Sequence, residues 1–98
     1  MKTIKQVTIK PVFVDQLPTF RKQNEVYISK ERKISEHVCL CGCGGTVVMP
    51  LNYELFPNTN WKLVEENNGT VSFIGSVGNY QFACKSHYII TKNVANFV

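Results

Sequence analysis

Apolar and polar residues alternate in short runs along this chain, and no stretch sustains the 3.6-residue spacing of a helix. Val7/Ile9 and Val12/Val14 alternate on either side of Pro11, which cannot donate to a sheet ladder. Residues 3–14 are therefore predicted as an edge strand or as two short strands. Residues 15–24, with Pro18 and several charged side chains, are predicted as a connecting loop. Two strands follow at 25–29 and 34–39, separated by the charged turn Lys30-Glu31-Arg32-Lys33. A further strand is predicted at 46–49, stopped by Pro50, and then a loop over 51–59. Residues 61–66 and 70–74 flank Asn67-Asn68-Gly69, and Asn-Gly between alternating runs predicts a hairpin with a type I′ turn. Residues 76–79 read as a further turn. Residues 80–83 and 88–91 read as extended, Lys92-Asn93 as a tight turn and 94–98 as the closing strand. The predicted class is all-β.

The candidate chemistry is concentrated. All four cysteines and both histidines fall in His37-Val38-Cys39-Leu40-Cys41-Gly42-Cys43-Gly44-Gly45 and in Cys84-Lys85-Ser86-His87. Alternate residues of an extended strand project to one side, so Cys-x-Cys converges on an ion if the chain bends, which Gly42 permits. Cys84 and His87 have the Cys-x-x-His spacing of a metal knuckle. The predicted ligand set is Cys41, Cys43, Cys84 and His87, with Cys39 as the alternative thiol of the first stretch. His37 is read as a strand-end histidine making a local hydrogen bond in preference to a ligand, and Lys85 and Ser86 as supporting the ligands or facing solvent in preference to catalysing. Mixed thiolate and imidazole donors point to Zn2+. The alternative is a 2Fe-2S cluster, since the two stretches are similar to the pair of loops in Rieske proteins with one histidine replaced by cysteine. The expected architecture is a small zinc-ribbon or Rieske-like sheet with two metal knuckles at hairpin tips.

With 98 residues, the chain has room for one domain and one core, here 1–24 as edge strand and basic loop and 25–98 as metal-binding core. A metal cross-link would supplement so small a core. No run of about 18 apolar residues is present to span a membrane, and the charged N-terminal residues lack the apolar run of a signal peptide. The expected compartment is the cytoplasm, where thiols stay reduced and close cysteines are metal ligands more often than disulfides. Residues 1–33 carry eight Lys/Arg against three Asp/Glu, so the excess positive charge sits in the first third.

Val26-Tyr27-Ile28-Ser29, His37-x-Cys39-x-Cys41-Gly42-Cys43-Gly44, Trp61 and Cys84-x-Ser86-His87-Tyr88 together resemble a family of small bacterial and phage proteins, domain of unknown function 6527, over residues 25–91. The resemblance implies a metal-binding module, some of whose members are encoded near ubiquitin-like conjugation genes, and hence an accessory protein. It implies no catalytic residue.

The function expected from the sequence is a small zinc-binding module that recognises another protein. The alternatives are iron-sulfur electron transfer and nucleic-acid binding through the basic N-terminal third, where Phe13, Phe20 and Tyr27 are interleaved with Lys10, Arg21, Lys22 and Lys30. A zinc hydrolase or deaminase is disfavoured, because Glu36 is the only carboxylate close in sequence to a candidate ligand and the deaminase signature of His-x-Glu with Pro-Cys-x-x-Cys is absent. No catalytic site is assigned.

Overall fold

The computed structural model describes residues 6–51, 54, 55, 57, 60–78 and 85–98. Among these residues every regular element is a β-strand. In chain order they are β1 (Gln6–Thr8), β2 (Lys10–Phe13), β3 (Glu25–Ser29), β4 (Ile34–Val38), β5 (Thr46–Pro50), β6 (Lys62–Glu65), β7 (Val71–Ile74), β8 (Val77–Gly78), β9 (His87–Thr91) and β10 (Val94–Phe97). The all-β expectation holds. The extended stretch predicted at 80–83 lies outside the described residues, as does most of the 51–59 loop.

Two four-stranded sheets, ordered β2-β3-β4-β5 and β1-β10-β9-β8, are joined by a β6-β7 hairpin. Among the described residues the only parallel pair is β2 with β3; Pro11 lies opposite Val26 on the edge strand, where its missing donor costs no ladder bond. The first predicted strand is indeed two pieces, and they belong to different sheets. The chain changes sheet at Ile9, whose N–H donates to the Asn93 carbonyl at 2.8 Å, while the Lys10 N–H donates to the Asn24 carbonyl at 2.9 Å. β5 runs through Pro50, one residue beyond its predicted end. It is an edge strand, so the ladder tolerates a proline there, and the Pro50 carbonyl accepts the Trp61 N–H at 2.9 Å.

The β6-β7 hairpin departs from the predicted turn type. Gly69 has φ +86 but Asn68 is not left-handed, so this is not a type I′ turn. The Gly69 N–H donates to the Glu66 carbonyl at 3.2 Å, and the Glu66 N–H to the Thr70 carbonyl at 2.8 Å. This is a wider loop closed by a left-handed glycine. Asn68 is used differently, its side-chain oxygen accepting from the Thr70 N–H at 3.2 Å and the Thr70 hydroxyl at 2.8 Å. The type I′ conformation appears instead at the β9-β10 turn, where Lys92 and Asn93 have φ +48 and +67. Asn93 also holds the hairpin against this sheet. Its N–H donates to the Val71 carbonyl at 2.9 Å, and its side-chain oxygen accepts the Val71 N–H at 2.8 Å.

Inward residues of both sheets and the hairpin form one apolar cluster that includes Val26, Ile28, Met49, Phe73, Tyr88 and Ile90. Residues 15–24 cover the other face of β3: the Tyr27 hydroxyl accepts the Lys22 N–H at 3.0 Å and donates to Glu25 at 2.6 Å. Arg21 and Glu36 form a largely sheltered ion pair at 2.6 Å. β3 is thus covered on both sides, which is why Val26 through Ser29 are all buried in spite of their alternating chemistry.

Candidate functional site

β4 delivers the site. Ser35 and His37 point inward from it, and Cys39, just past its end, continues the same row; all three are fully buried. The Cys39 N–H donates to the Gly45 carbonyl at 2.7 Å, closing the loop, and the Gly42 N–H donates back to the Cys39 carbonyl at 3.0 Å. Gly42 and Gly44, at φ +92 and +89, take left-handed conformations that let this short loop curl.

The curl brings the sulfurs of Cys39, Cys41 and Cys43 within 4.8 Å of one another. Cys39 and Cys41 Sγ are 3.4 Å apart, well beyond a disulfide bond of about 2.05 Å and close to the roughly 3.8 Å between thiolates on a tetrahedral ion. The three run from core to surface, with Cys39 buried, Cys41 half-buried and Cys43 exposed. This donor set fits a thiophilic metal ion.

The predicted ligands are distributed as follows. Cys41 and Cys43 lie in the three-sulfur group together with Cys39. His87 opens β9, half-buried and opposite Gly78, and among the described residues it is not grouped with the three sulfurs. Cys84 lies outside the described residues. His37 is joined through Nε2 to the Tyr88 hydroxyl at 2.7 Å, while its buried Nδ1 has no hydrogen-bond partner. Burial lowers its pKa to about 4, so the ring is neutral at pH 7.

A hydroxyl group also meets the cluster. The half-buried Ser86 places Oγ 3.1 Å from Cys39 Sγ, and the preceding residue, Lys85, is left-handed at φ +48, an uncommon conformation for a side chain with a Cβ. The pairs His37/Tyr88 and Cys39/Ser86 form two successive rungs between the end of β4 and the start of β9. Gln23 steadies the same point by donating to the Cys39 carbonyl at 3.0 Å. The two-residue steps from 37 to 39 and from 86 to 88 were present in the sequence, but nothing there indicated that they would face each other.

A family model described as "Bacterial ubiquitination-like system serine protease (BubE)" matches residues 13–98. Comparison with curated proteins and with solved structures gives no match. The family match corrects two expectations. The resemblance to domain of unknown function 6527 over residues 25–91 gives way to this family, which also takes in residues 13–24. The plain zinc module for protein recognition, with its electron-transfer and nucleic-acid alternatives, gives way to a protease-associated role. The physical reason is that cysteine and histidine spacing reports a cross-link, and is blind to a serine that the fold sets against it. The chain belongs to the bacterial ubiquitination-like system serine protease family, BubE.

Proposed function

We propose that the chain hydrolyses peptide bonds in a bacterial ubiquitination-like system, with Ser86 as the attacking hydroxyl beside a thiolate-held metal ion. Family membership over residues 13–98 supports the reaction class, and the 3.1 Å approach of Ser86 to Cys39 is the observation that carries the residue. Ser29, Ser35 and Ser72 are 0, 0 and 7 % exposed, too enclosed to meet a polypeptide. Ser76 sits in an exposed turn whose carbonyl is taken by the Trp61 indole N–H. Ser86 is half-buried, follows a left-handed residue and precedes His87.

A serine hydroxyl is a weak nucleophile until a neighbouring group takes its proton. In this proposal Oγ attacks the carbonyl carbon as its proton passes to a water molecule at the half-exposed site. The C–N bond then breaks, the leaving amine takes that proton, and water hydrolyses the resulting ester. Cys39, Cys41 and Cys43 would hold the metal, with a fourth donor from Cys84; the set read from the sequence has His87 in place of Cys39. We take the ion as zinc, clamped by two knuckles in the manner of a zinc ribbon, where it would supply a closed cross-link and keep its thiols deprotonated. A Cys39 thiolate accepts a hydrogen bond from Ser86 and so orients the hydroxyl.

The same contact favours a second reading, in which Ser86 only hydrogen-bonds a metal thiolate. Hydrolysis of a mixed peptide library, measured together with metal content, separates the two. Our reading expects Ser86→Ala to lose hydrolysis with its metal retained, whereas loss of metal, or hydrolysis that persists, supports the second.

A further inference from the structure

A cavity of about 570 Å³ opens beside the β3-β4 turn, away from the cysteine loop in the chain, and the proposed hydrolysis makes no use of it. Among the described residues, Leu51, Trp61 and Leu63 supply its apolar lining, and Lys30, Lys33 and Lys62 supply its cationic groups. Glu54 is the one acidic residue among the described residues that line it. Lys30 is already engaged, with Nζ 3.2 Å from Glu65 and 5.3 Å from the centre of the Phe13 ring. Lys33 and Lys62 are exposed and form no ion pair among the described residues.

The indole is fixed before any ligand arrives. Trp61 donates from Nε1 to the Ser76 carbonyl at 3.1 Å, and its backbone N–H is held by Pro50. Gly75 gives the ring its room, since a Cβ there would lie 3.1 Å from Cδ1. A rigid aromatic side chain loses little freedom on binding, which is what makes such residues effective anchors. The volume lies in the range of ligand sites, about 300–1,000 Å³, and exceeds what one side chain fills.

We propose that this cavity binds an acidic peptide segment of a partner protein, with an apolar side chain against Trp61 and Leu63 and flanking carboxylates on Lys33 and Lys62. An apolar lining suits a side chain and gives nothing to a phosphate backbone, while the two unengaged lysines complement carboxylates. The proposal is independent of the role given to Ser86.

Trp61 is the only tryptophan in the chain, so its fluorescence reports this site alone. The full chain is titrated with a hexapeptide whose leucine-phenylalanine centre is flanked by two glutamates on each side, with its lysine-flanked counterpart, and with a hexa-adenylate. Expected is a saturable fluorescence change with the acidic peptide only, weakened at least tenfold in the Lys33→Glu/Lys62→Glu double variant. Both positions are exposed, and an unchanged circular dichroism spectrum checks that the variant is folded; if it is not, the single Lys62→Ala variant with the same titration takes its place. No saturable change with the acidic peptide, equal binding of the lysine-flanked peptide, or binding of the oligonucleotide with the same change would overturn the proposal.

Discussion

The Cys39 sulfur lies 3.1 Å from the Ser86 hydroxyl, and one rung further into the core the His37 ring meets the Tyr88 hydroxyl at 2.7 Å. The buried rung is structural and the outer one borders the half-exposed site. Each fixes the other, because alternate residues on both stretches must face the same way for either contact to form.

Removing the inner rung should therefore loosen the outer one. Tyr88→Phe leaves the buried His37 Nε2 without this hydroxyl, a loss of about 1–3 kcal/mol. In a domain of this size it corresponds to a melting midpoint lowered by roughly 5–15 °C. Calorimetry on the metal-loaded variant checks it, and a midpoint within a degree or two of the parent would show that the rung contributes nothing.

The three-sulfur group makes a prediction about individual thiols. Ser substitution at Cys39, Cys41 or Cys43 should each release the metal or weaken it strongly, whereas His87→Gln should retain it. Elemental analysis and competition with a chelator give the answer. If Cys39→Ser keeps full affinity while His87→Gln loses it, the ligand set read from the sequence is the right one. Chelation of the parent protein should also lower its thermal midpoint, since metal affinity in small domains is largely folding free energy.

Most of the framework was legible in the sequence because period-two alternation and turn residues act locally. The division of the first stretch into two strands, the strands at 25–29 and near 34–39, and the Lys92-Asn93 turn follow from their own neighbours, although the break falls at Ile9 and Pro11 lies within β2. What could not be read was long-range. That β1 and β2 join different sheets depends on Ile9 meeting Asn93. That Ser86 faces Cys39 depends on how β9 lies against the end of β4, 47 positions away in sequence. The metal signal was strong because donors cluster in sequence, and it drew attention away from the serine between two of them.

The hairpin turn offers a local test of a turn type that sequence reasoning misjudged, as it also misjudged the turn at 76–79, where Val77–Gly78 is strand β8. Gly69 is left-handed with open space around the missing Cβ, so Gly69→Ala meets backbone strain and no clash, at about 1–2 kcal/mol. Asn tolerates this conformation better, and Gly69→Asn should cost less than Gly69→Ala. Asn68→Ala should also destabilise, by about 0.5–1.5 kcal/mol, through loss of its bonds to Thr70. Urea midpoints rank the three, and a higher cost for Asn than for Ala at position 69 would contradict the assigned turn.

Covalent labelling by a fluorophosphonate, located by mass spectrometry of the digested protein, tests the central claim most directly. The probe reacts with an activated serine hydroxyl and not with one that merely hydrogen-bonds a thiolate. With the metal-loaded chain, the account predicts a single adduct on the peptide containing Ser86, absent from Ser86→Ala and from protein unfolded before labelling. An adduct on another serine, or none at all from folded, metal-loaded protein that hydrolyses peptides, would contradict it.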